Sequence, residues 1–594
     1  MKLILKKQGP LLIRYSVEDK NAFLWDRLRN LFIESELRGP DSFTVQFHLF
    51  LSTWKDVYGY LSQYDVEFDV DAALIEDVKR FRQQRDETRH FTLKELEDRL
   101  MEAGFKRKLK DFQAENVCKL AQRNQGATFS VPGAGKTTEA LAFFYSTAKP
   151  DDKLLVVAPL NAFGAWDEQL TECTGNRNLS FVRLTGGADN VARMLRENHQ
   201  FLLTNYELLR SPQPREIIYL FLRGNPNVYV FLDESHKIKN EATAQAEAIR
   251  LIQPFPKAKL IMSGTPMPQS PKDLLPQYRF LFPDESVSES DVVSKFQDIY
   301  VRTTASRLGI PKIRVYRQNI ELDDIEKTLY GKMRKLALKN AGTPSADARY
   351  LRNLGKSVMR LLAFVSNPAL IAPLFSGMMP ELTEYLRTRD SKKIAYVCKR
   401  ARQLVAEGKK VLIWSSFVRN VELISCRLQD LGADYIHGGV KAGDPDDPTS
   451  REGKLRNFNA PGSLHKVLVA NPAAASEGIS LHKACQYAIY LDRSFNAAQF
   501  LQSQDRIHRL GMPVGTVPEM EFVMCPSTID DVVDSRLDSK IRSMGAALND
   551  MSIVPSDPEL IYDTDDDDGP EVDDTRPGIS RTDIEEILRH LQAC

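Results

Sequence analysis

The sequence predicts an α/β protein built from two lobes, each a parallel sheet with helices on both faces. Three observations carry this. Between about 100 and 300, short apolar runs (ATFSVPG, KLLVVAPL, FLLTNY, VYVFLDE, KLIMSGTP) alternate with helical patterns. From about 320 to 405 the pattern turns helical, without strand-like runs. Strand-like runs then resume (KVLIWSSF, ADYIHGG, KVLVANP, YAIYLDR, EFVMC). Alternation of this kind implies βαβ units and parallel sheets.

Taken in order, residues 1–98 read as a small mixed α/β module. KLILKK and LLIRYSV are strand-like, and KNAFLWDRLRNLFIE and ALIEDVKRFRQQRDE are helical. Residues 99–310 form the first lobe, 311–405 a helical insertion or linker, and 406–545 the second lobe. Residues 546–594 form a tail: DTDDDDGPEVDD is disordered by composition, and SRTDIEEILRHLQ reads as a short terminal helix.

The 594 residues carry 80 basic and 80 acidic side chains, a net charge of zero. The distribution is uneven. From Pro555 onward there are 13 Asp/Glu and 3 Lys/Arg, which leaves 77 basic against 67 acidic residues in the remainder, a net of +10. A basic body with an acidic tail suits a polyanion binder, and equally a solvated tail that aids solubility. The seven cysteines are scattered without a CxxC pair. That favours free thiols in a reducing compartment over a zinc site. No uninterrupted apolar run is long enough to span a membrane, and the N-terminal stretch lacks the apolar core of a signal peptide, so a cytoplasmic location is expected.

The chemistry lies in three separated motifs. SVPGAGKTT ends a strand and opens a helix. In such a turn, backbone N–H groups and the positive end of the helix dipole bind phosphate oxygens. Gly133, Ala134 and Gly135 let the backbone approach, Lys136 reaches the β- and γ-phosphates, Thr137 offers a hydroxyl to Mg²⁺, and Thr138 follows. The loop departs from GxxxxGK[ST] at its first glycine, which is Ser130. About a hundred residues on, FLDESHKIKN places Asp233 and Glu234 past a strand's carboxyl end, where ligands of open α/β sheets bind. Asp233 would hold Mg²⁺ and Glu234 would orient and deprotonate water. His236 and the SGTP segment, with Ser263 and Thr265, are candidates for coupling the nucleotide site to the second lobe. Far downstream, QSQDRIHRLG sets Arg506 and Arg509 at i and i+3, read as one helical face. Arginine suits phosphate forks and transferring phosphoryl charge.

With these motifs the chain resembles the superfamily 2 helicase-type ATPases of the Swi/Snf (Snf-type) family over about 105–535. LKDFQ, LLVVAPLNAFGAWDEQL, LLTNYELL, FLDESHKIKN, MSGTPMPQSPKDL, VLIWSSF, ASEGISL and RSFNAAQFLQSQDRIHRLG fall in the family's order. The resemblance implies two RecA-like lobes, ATP and Mg²⁺ as cofactors, and ATP hydrolysis coupled to movement on DNA, with duplex as the track. It gives Phe112 and Gln113 to the adenine, Gly478 to the nucleotide at the lobe interface, and Arg509 the role of arginine finger with Arg506 beside it. By resemblance, Asn161, Thr204, Asn205, Tyr206, Ser415 and Ser416 are candidate nucleic-acid contacts. Departures include Ser235 for the family's Ala, and Ser480. The compact size resembles bacterial or phage relatives.

Two rival readings remain open: a strand-separating DNA or RNA helicase, and an ATP-gated nucleic-acid-binding subunit of a restriction, defence or repair complex. In the last case a partner protein would carry nuclease or other chemistry.

Overall fold

A computed structural model describes the chain except residues 9–11, 32–38, 47–49, 51–53, 55–56, 87–90, 342–347, 373–389, 442, 445, 476–478, 554–580 and 593–594. The chain divides into two compact units, Met1–Met267 with Pro271–Thr303, and Pro268–Ser270 with Thr304–Cys594.

The first unit holds two sheets. β1 (Lys2–Lys7), β2 (Leu12–Glu18), β3 (Ser42–Gln46) and β4 (Glu67–Val70) run in the order β3-β2-β1-β4. The β1–β2 and β2–β3 pairs are antiparallel, and β1–β4 is parallel. Alternation in β1 and β2 buries Leu3, Leu5, Ile13 and Tyr15 against Trp25 and Phe43. The strand pair and the helices Ala22–Leu31 and Ala72–Asp86 match the sequence patterns.

The second sheet is entirely parallel. β5 (Gln125–Thr128), β6 (Lys153–Val157), β7 (Val182–Arg183), β8 (Phe201–Thr204), β9 (Val228–Asp233), β10 (Ala258–Met262) and β11 (Tyr300–Val301) take the order β11-β5-β10-β9-β6-β8-β7. Its central strands are covered on both faces, which is why they read as continuous Val/Leu/Phe runs. Register matters here. Met262 of β10 pairs with Thr128 of β5 on one side and Asp233 of β9 on the other. Three strands therefore end level, and the loops that follow them meet at one sheet edge.

In the second unit, β12 (Arg314–Asn319), β13 (Val411–Trp414), β14 (Asp434–Ile436), β15 (Val467–Ala470), β16 (Tyr487–Tyr490) and β17 (Glu519–Met524) form a parallel sheet in the order β12-β17-β16-β13-β15-β14. Two boundaries differ from the sequence reading. β12 lies inside 311–405, which was expected to be helical. It is an edge strand exposed at Arg314, Tyr316, Arg317 and Asn319, so it lacks an apolar signature. The helix Lys392–Ala406 packs Ile394, Val397, Ala401 and Leu404 into this sheet's core, so it belongs to the lobe rather than the insertion. The helices Asp324–Ala341 and Ala348–Ser366 pack together as the insertion pattern suggests. The terminal helix Arg581–Gln592 packs on the helices Ile529–Ala547 and Asp324–Ala341. The segment expected to be disordered, 556–579, lies outside the described residues.

Candidate nucleotide site

The glycine-containing loop leaves the end of β5 and turns into the helix Lys136–Thr147. Gly133 and Gly135 both take left-handed φ, 85° and 89°. At Gly135 the space is also closed, because a Cβ there would stand 2.4 Å from Gln113 Nε2. Gln113 donates from that nitrogen to Ala134 O (3.0 Å) and accepts from Lys110 N (3.1 Å), so it braces the loop from beneath. Lys136 Nζ donates to Ser130 O at 2.9 Å. Thr138 is buried and donates to Gln169 Oε1 at 2.8 Å, which leaves its backbone rather than its hydroxyl for a phosphate. Phe112 is half-buried, with Lys110 Nζ 5.9 Å above its ring.

Ser130, the residue in place of the loop's usual glycine, has a structural reason. It is fully buried, and its Oγ accepts from Thr303 N at 2.9 Å. Thr303 Oγ1 in turn accepts from Asn116 Nδ2 at 3.0 Å. Asn116 also donates to Glu139 at 2.9 Å, and Thr128 donates to the other oxygen of Glu139 at 2.9 Å. Burial pushes the Glu139 carboxyl up to about 7. This network ties the loop's floor to β11's exit.

Asp233 ends β9, and Glu234 follows with φ 49° and ψ 52°. Left-handed backbone at a non-glycine residue costs on the order of 1–3 kcal/mol and clusters where function requires it. Asp233 Oδ1 accepts from Glu234 N (3.0 Å) and Oδ2 from Trp166 Nε1 (3.0 Å). Tyr206 OH donates to the Asp233 carbonyl at 2.8 Å. Burial, and then repulsion from Glu234, push Asp233 up to about 6. Burial would also raise Glu234, but His236, Lys136 and Lys237 outweigh it and hold that carboxyl at about 2. The Glu234 side chain keeps 29% of its surface accessible, while its Oε2 is buried without a hydrogen bond. His236 Nδ1 lies 3.3 Å from that oxygen and 3.0 Å from Ser263 Oγ. Ser263 Oγ also accepts from Thr265 N at 3.1 Å. His236, Ser263 and Thr265 thus form one connected group beside the carboxylates. Gly264 stands against Pro132 of the loop, where a Cβ would meet the proline ring at 3.1 Å.

Ser235 is buried and donates to Gln277 Oε1 at 2.7 Å, and Gln277 donates to Pro266 O and Asp273 O. A hydroxyl at this position is therefore used internally.

The donor set fits Mg²⁺. Asp233 and Glu234 are pushed in opposite directions, Glu234 Oε2 is buried without a hydrogen bond, and the Lys136 ammonium acts on both carboxylates. Oxygen donors such as Asp233 and the Thr137 hydroxyl suit a hard cation.

In the second unit the arginines are not on a helix face. The helix Ala497–Gln504 stops one residue before Asp505, and the chain continues as turns. Arg506 is buried and folds back to close that end, with Nε to Gln502 O (2.8 Å) and Nη1 to Ile479 O (2.7 Å). Capping the last carbonyls in this way ends the helical register. Arg509 is half-buried, and burial lowers its guanidinium pKa against the pull of Asp505. Gly478 lies outside the described residues.

The expected nucleic-acid contacts divide. Asn161 is exposed and Ser416 half-buried. Thr204, Tyr206 and Ser415 are fully buried, and Asn205 is 8% exposed. Asn205 accepts from Leu208 N as a helix cap, and Ser415 donates to Asp492 Oδ2 at 2.6 Å. Three of these side chains make internal hydrogen bonds, that of Tyr206 going to the Asp233 carbonyl, while Thr204 Oγ1 is buried without one. Sequence reading also missed Trp166, Asn116, Glu139, Thr303 and Gln277 as parts of the site. Trp166 and Asn116 sit within quoted or adjoining motif segments, which was the one available signal.

The SNF2-related domain matches residues 112–339, and the helicase conserved C-terminal domain matches 392–511. The first contains the loop and both carboxylates, and the second contains both arginines. The ISWI chromatin-remodeling complex ATPase ISW2 of Saccharomyces cerevisiae is 24% identical over 474 residues, 73% of this chain and 40% of that protein. Chromodomain-helicase-DNA-binding protein 8 of Homo sapiens is 24% identical over 515 residues, 76% of this chain and 19% of that protein. The chain thus spans less than half the length of these relatives. The Sulfolobus solfataricus SWI2/SNF2 ATPase core in complex with dsDNA is 18% identical, covering 76% of this chain and 98% of that chain with a TM-score of 0.32. The chain thus carries an SNF2-related domain followed by a helicase conserved C-terminal domain.

Proposed function

We propose that this protein is an ATP-hydrolysing translocase that moves along duplex DNA. The observation that carries the reading is the level ending of β5, β10 and β9. It gathers the phosphate-binding loop, the Ser263 segment and the Asp233–Glu234 pair at one sheet edge. In this reading the loop backbone and Lys136 hold the phosphates, with Gln113 and Phe112 toward the adenine. Glu234 orients a water and takes its proton, and Trp166 and Tyr206 keep Asp233 in place. Bound Mg²⁺ would neutralise phosphate charge, held by Asp233 and Thr137. By resemblance to the family, Arg509 with Arg506 beside it is assigned to the charge of the transferring phosphoryl group, and Gly478 to the nucleotide. Asn161, Ser416 and the backbone near Asn205 are the contacts retained for the DNA strand. DNA as the track is supported by relatives whose names place them in chromatin remodelling and DNA binding.

The domain reading is a module over 1–98 and a first lobe over 99–310. The second lobe gathers β12 and the helix Lys392–Ala406 with residues 406–545. Six described cysteines are free, which supports a reducing, cytoplasmic setting. Among the described residues no helix is long and apolar enough to cross a membrane.

Displacement of the third strand from a triplex tests the reading. ATP-dependent release from a site distant from the loading end is expected. Unwinding of tailed duplexes without triplex displacement would replace it with the strand-separating helicase. ATP-dependent binding with neither activity would replace it with the gated binding subunit, which leaves further chemistry to a partner protein.

A further inference from the structure

We infer that the C-terminal helix Arg581–Gln592 is a positioning element for the arginine segment, acting through a buried Asp583–Lys540 pair. The inference rests on the assignment of Arg506 and Arg509 to the phosphates.

Lys540, on the helix Ile529–Ala547, is 3% exposed. Its Nζ donates to Phe495 O at 3.0 Å and to Asp583 Oδ2 at 2.6 Å. Asp583 is fully buried and comes from 43 residues further along the chain. Its other oxygen accepts from Arg536 Nε at 2.7 Å. The terminal helix thus brings Asp583 to both Lys540 and Arg536, with Glu586 Oε1 a further 3.5 Å partner of Arg536. An ammonium removed from water is costly unless paired. Removing the Asp583 charge weakens the hold on the Lys540 ammonium, and with it the bond to Phe495 O.

Phe495 leads directly into the arginine segment. It is fully buried, and Asn496 caps the helix Ala497–Gln504 by accepting from Gln499 N at 3.2 Å. That helix supplies Gln502 O, to which Arg506 Nε is bound at 2.8 Å. The chain of contacts runs from Asp583 through Lys540, the Phe495 carbonyl and one short helix to Arg506. The terminal helix is seated at further points. Ile587 and Leu591 are fully buried, and His590 Nε2 lies 2.9 Å from Tyr330 OH, which accepts from Ile529 N. Its seat is therefore specific rather than a loose apolar contact.

The test uses the full chain with Asp583→Asn, which keeps shape and removes charge, and Asp583→Glu as the conservative variant. Hydrogen exchange over 495–510 is the first readout, because it does not depend on turnover. Asp583→Asn is expected to lose protection there, and Asp583→Glu to recover part of it. The second readout is steady-state ATP hydrolysis. Asp583→Asn should lower kcat tenfold or more and leave KM for ATP within twofold, since the loop and carboxylates belong to the other unit. A chain truncated after Ile553 should behave like Asp583→Asn, and a peptide of residues 579–594 added in trans should restore its kcat. Unchanged exchange over 495–510, or altered exchange with wild-type kcat, would overturn the inference. A wild-type chain without turnover would instead remove the functional reading, and the exchange readout would still decide the inference.

Discussion

Gly135→Ala gives a direct test of how the phosphate loop is built. The residue has φ 89°, and a Cβ there would stand 2.4 Å from Gln113 Nε2. Two costs follow. Left-handed backbone costs a residue with a Cβ roughly 1–2 kcal/mol. Gln113 must also withdraw, which gives up its 3.0 Å bond to Ala134 O. A net hydrogen bond contributes about 0.5–1.5 kcal/mol. The sum is about 1.5–3.5 kcal/mol, equivalent to a roughly 10- to 300-fold loss of nucleotide affinity at 1.4 kcal/mol per decade. Titration with a fluorescent ATP analogue measures it. Gln113→Ala in the same background separates the terms. The clash disappears and the backbone cost stays, so the double variant should bind better than the sum of the single losses predicts. Strict additivity would refute the contact with Gln113, and wild-type affinity of Gly135→Ala would refute the loop geometry.

Trp166→Phe removes the indole donor to Asp233, where a hydrogen bond to a charged acceptor contributes about 1.5–3 kcal/mol. The Mg²⁺ concentration for half-maximal ATP hydrolysis should rise about tenfold or more, and an unchanged Mg²⁺ dependence would count against a positioning role. Ser235→Ala leaves Gln277 Oε1 without its donor inside the protein, so thermal stability should fall by about 1–3 kcal/mol, read from the unfolding transition of the first unit. His590 is held down to about 4 by burial and then by Arg334. A depressed histidine adds stability that is complete above its unfolded pKa of about 6.5 and is lost as pH falls toward about 4. Protection of the terminal helix against hydrogen exchange, corrected for intrinsic rate, should therefore drop between those pH values, and constant protection would contradict the docking described.

Much of the fold was legible because buried parallel strands announce themselves. β6, β8, β9, β10, β13, β15 and β16 are predominantly apolar runs, since both faces are covered. β12 was missed because an exposed, mostly polar edge strand has no such signature, and β7 and β11 because two residues carry no period. The site followed the same logic. Lys136, Asp233 and Glu234 were readable because each lies in a contiguous motif whose chemistry is local. Trp166 acts on Asp233 from 67 residues away, and Asn116 on Thr303 from 187, so their motif segments could mark them but not show which partner each holds. Arg506 and Arg509 were placed on a helix because spacing alone does not show where a helix ends. Thr204, Tyr206 and Ser415 were assigned to DNA from their motifs, whereas their hydroxyl-bearing side chains are buried at strand ends.

The central claim is that this site hydrolyses ATP to drive movement on duplex DNA. Steady-state ATP hydrolysis by the wild-type chain and by Glu234→Gln, without polymer and with duplex DNA, single-stranded DNA or RNA at equal nucleotide concentration, addresses it most directly. The account predicts strong stimulation by duplex DNA in the wild type, and loss of turnover with retained ATP binding in Glu234→Gln. Wild-type turnover in Glu234→Gln, or a wild-type rate indifferent to duplex DNA, would contradict it.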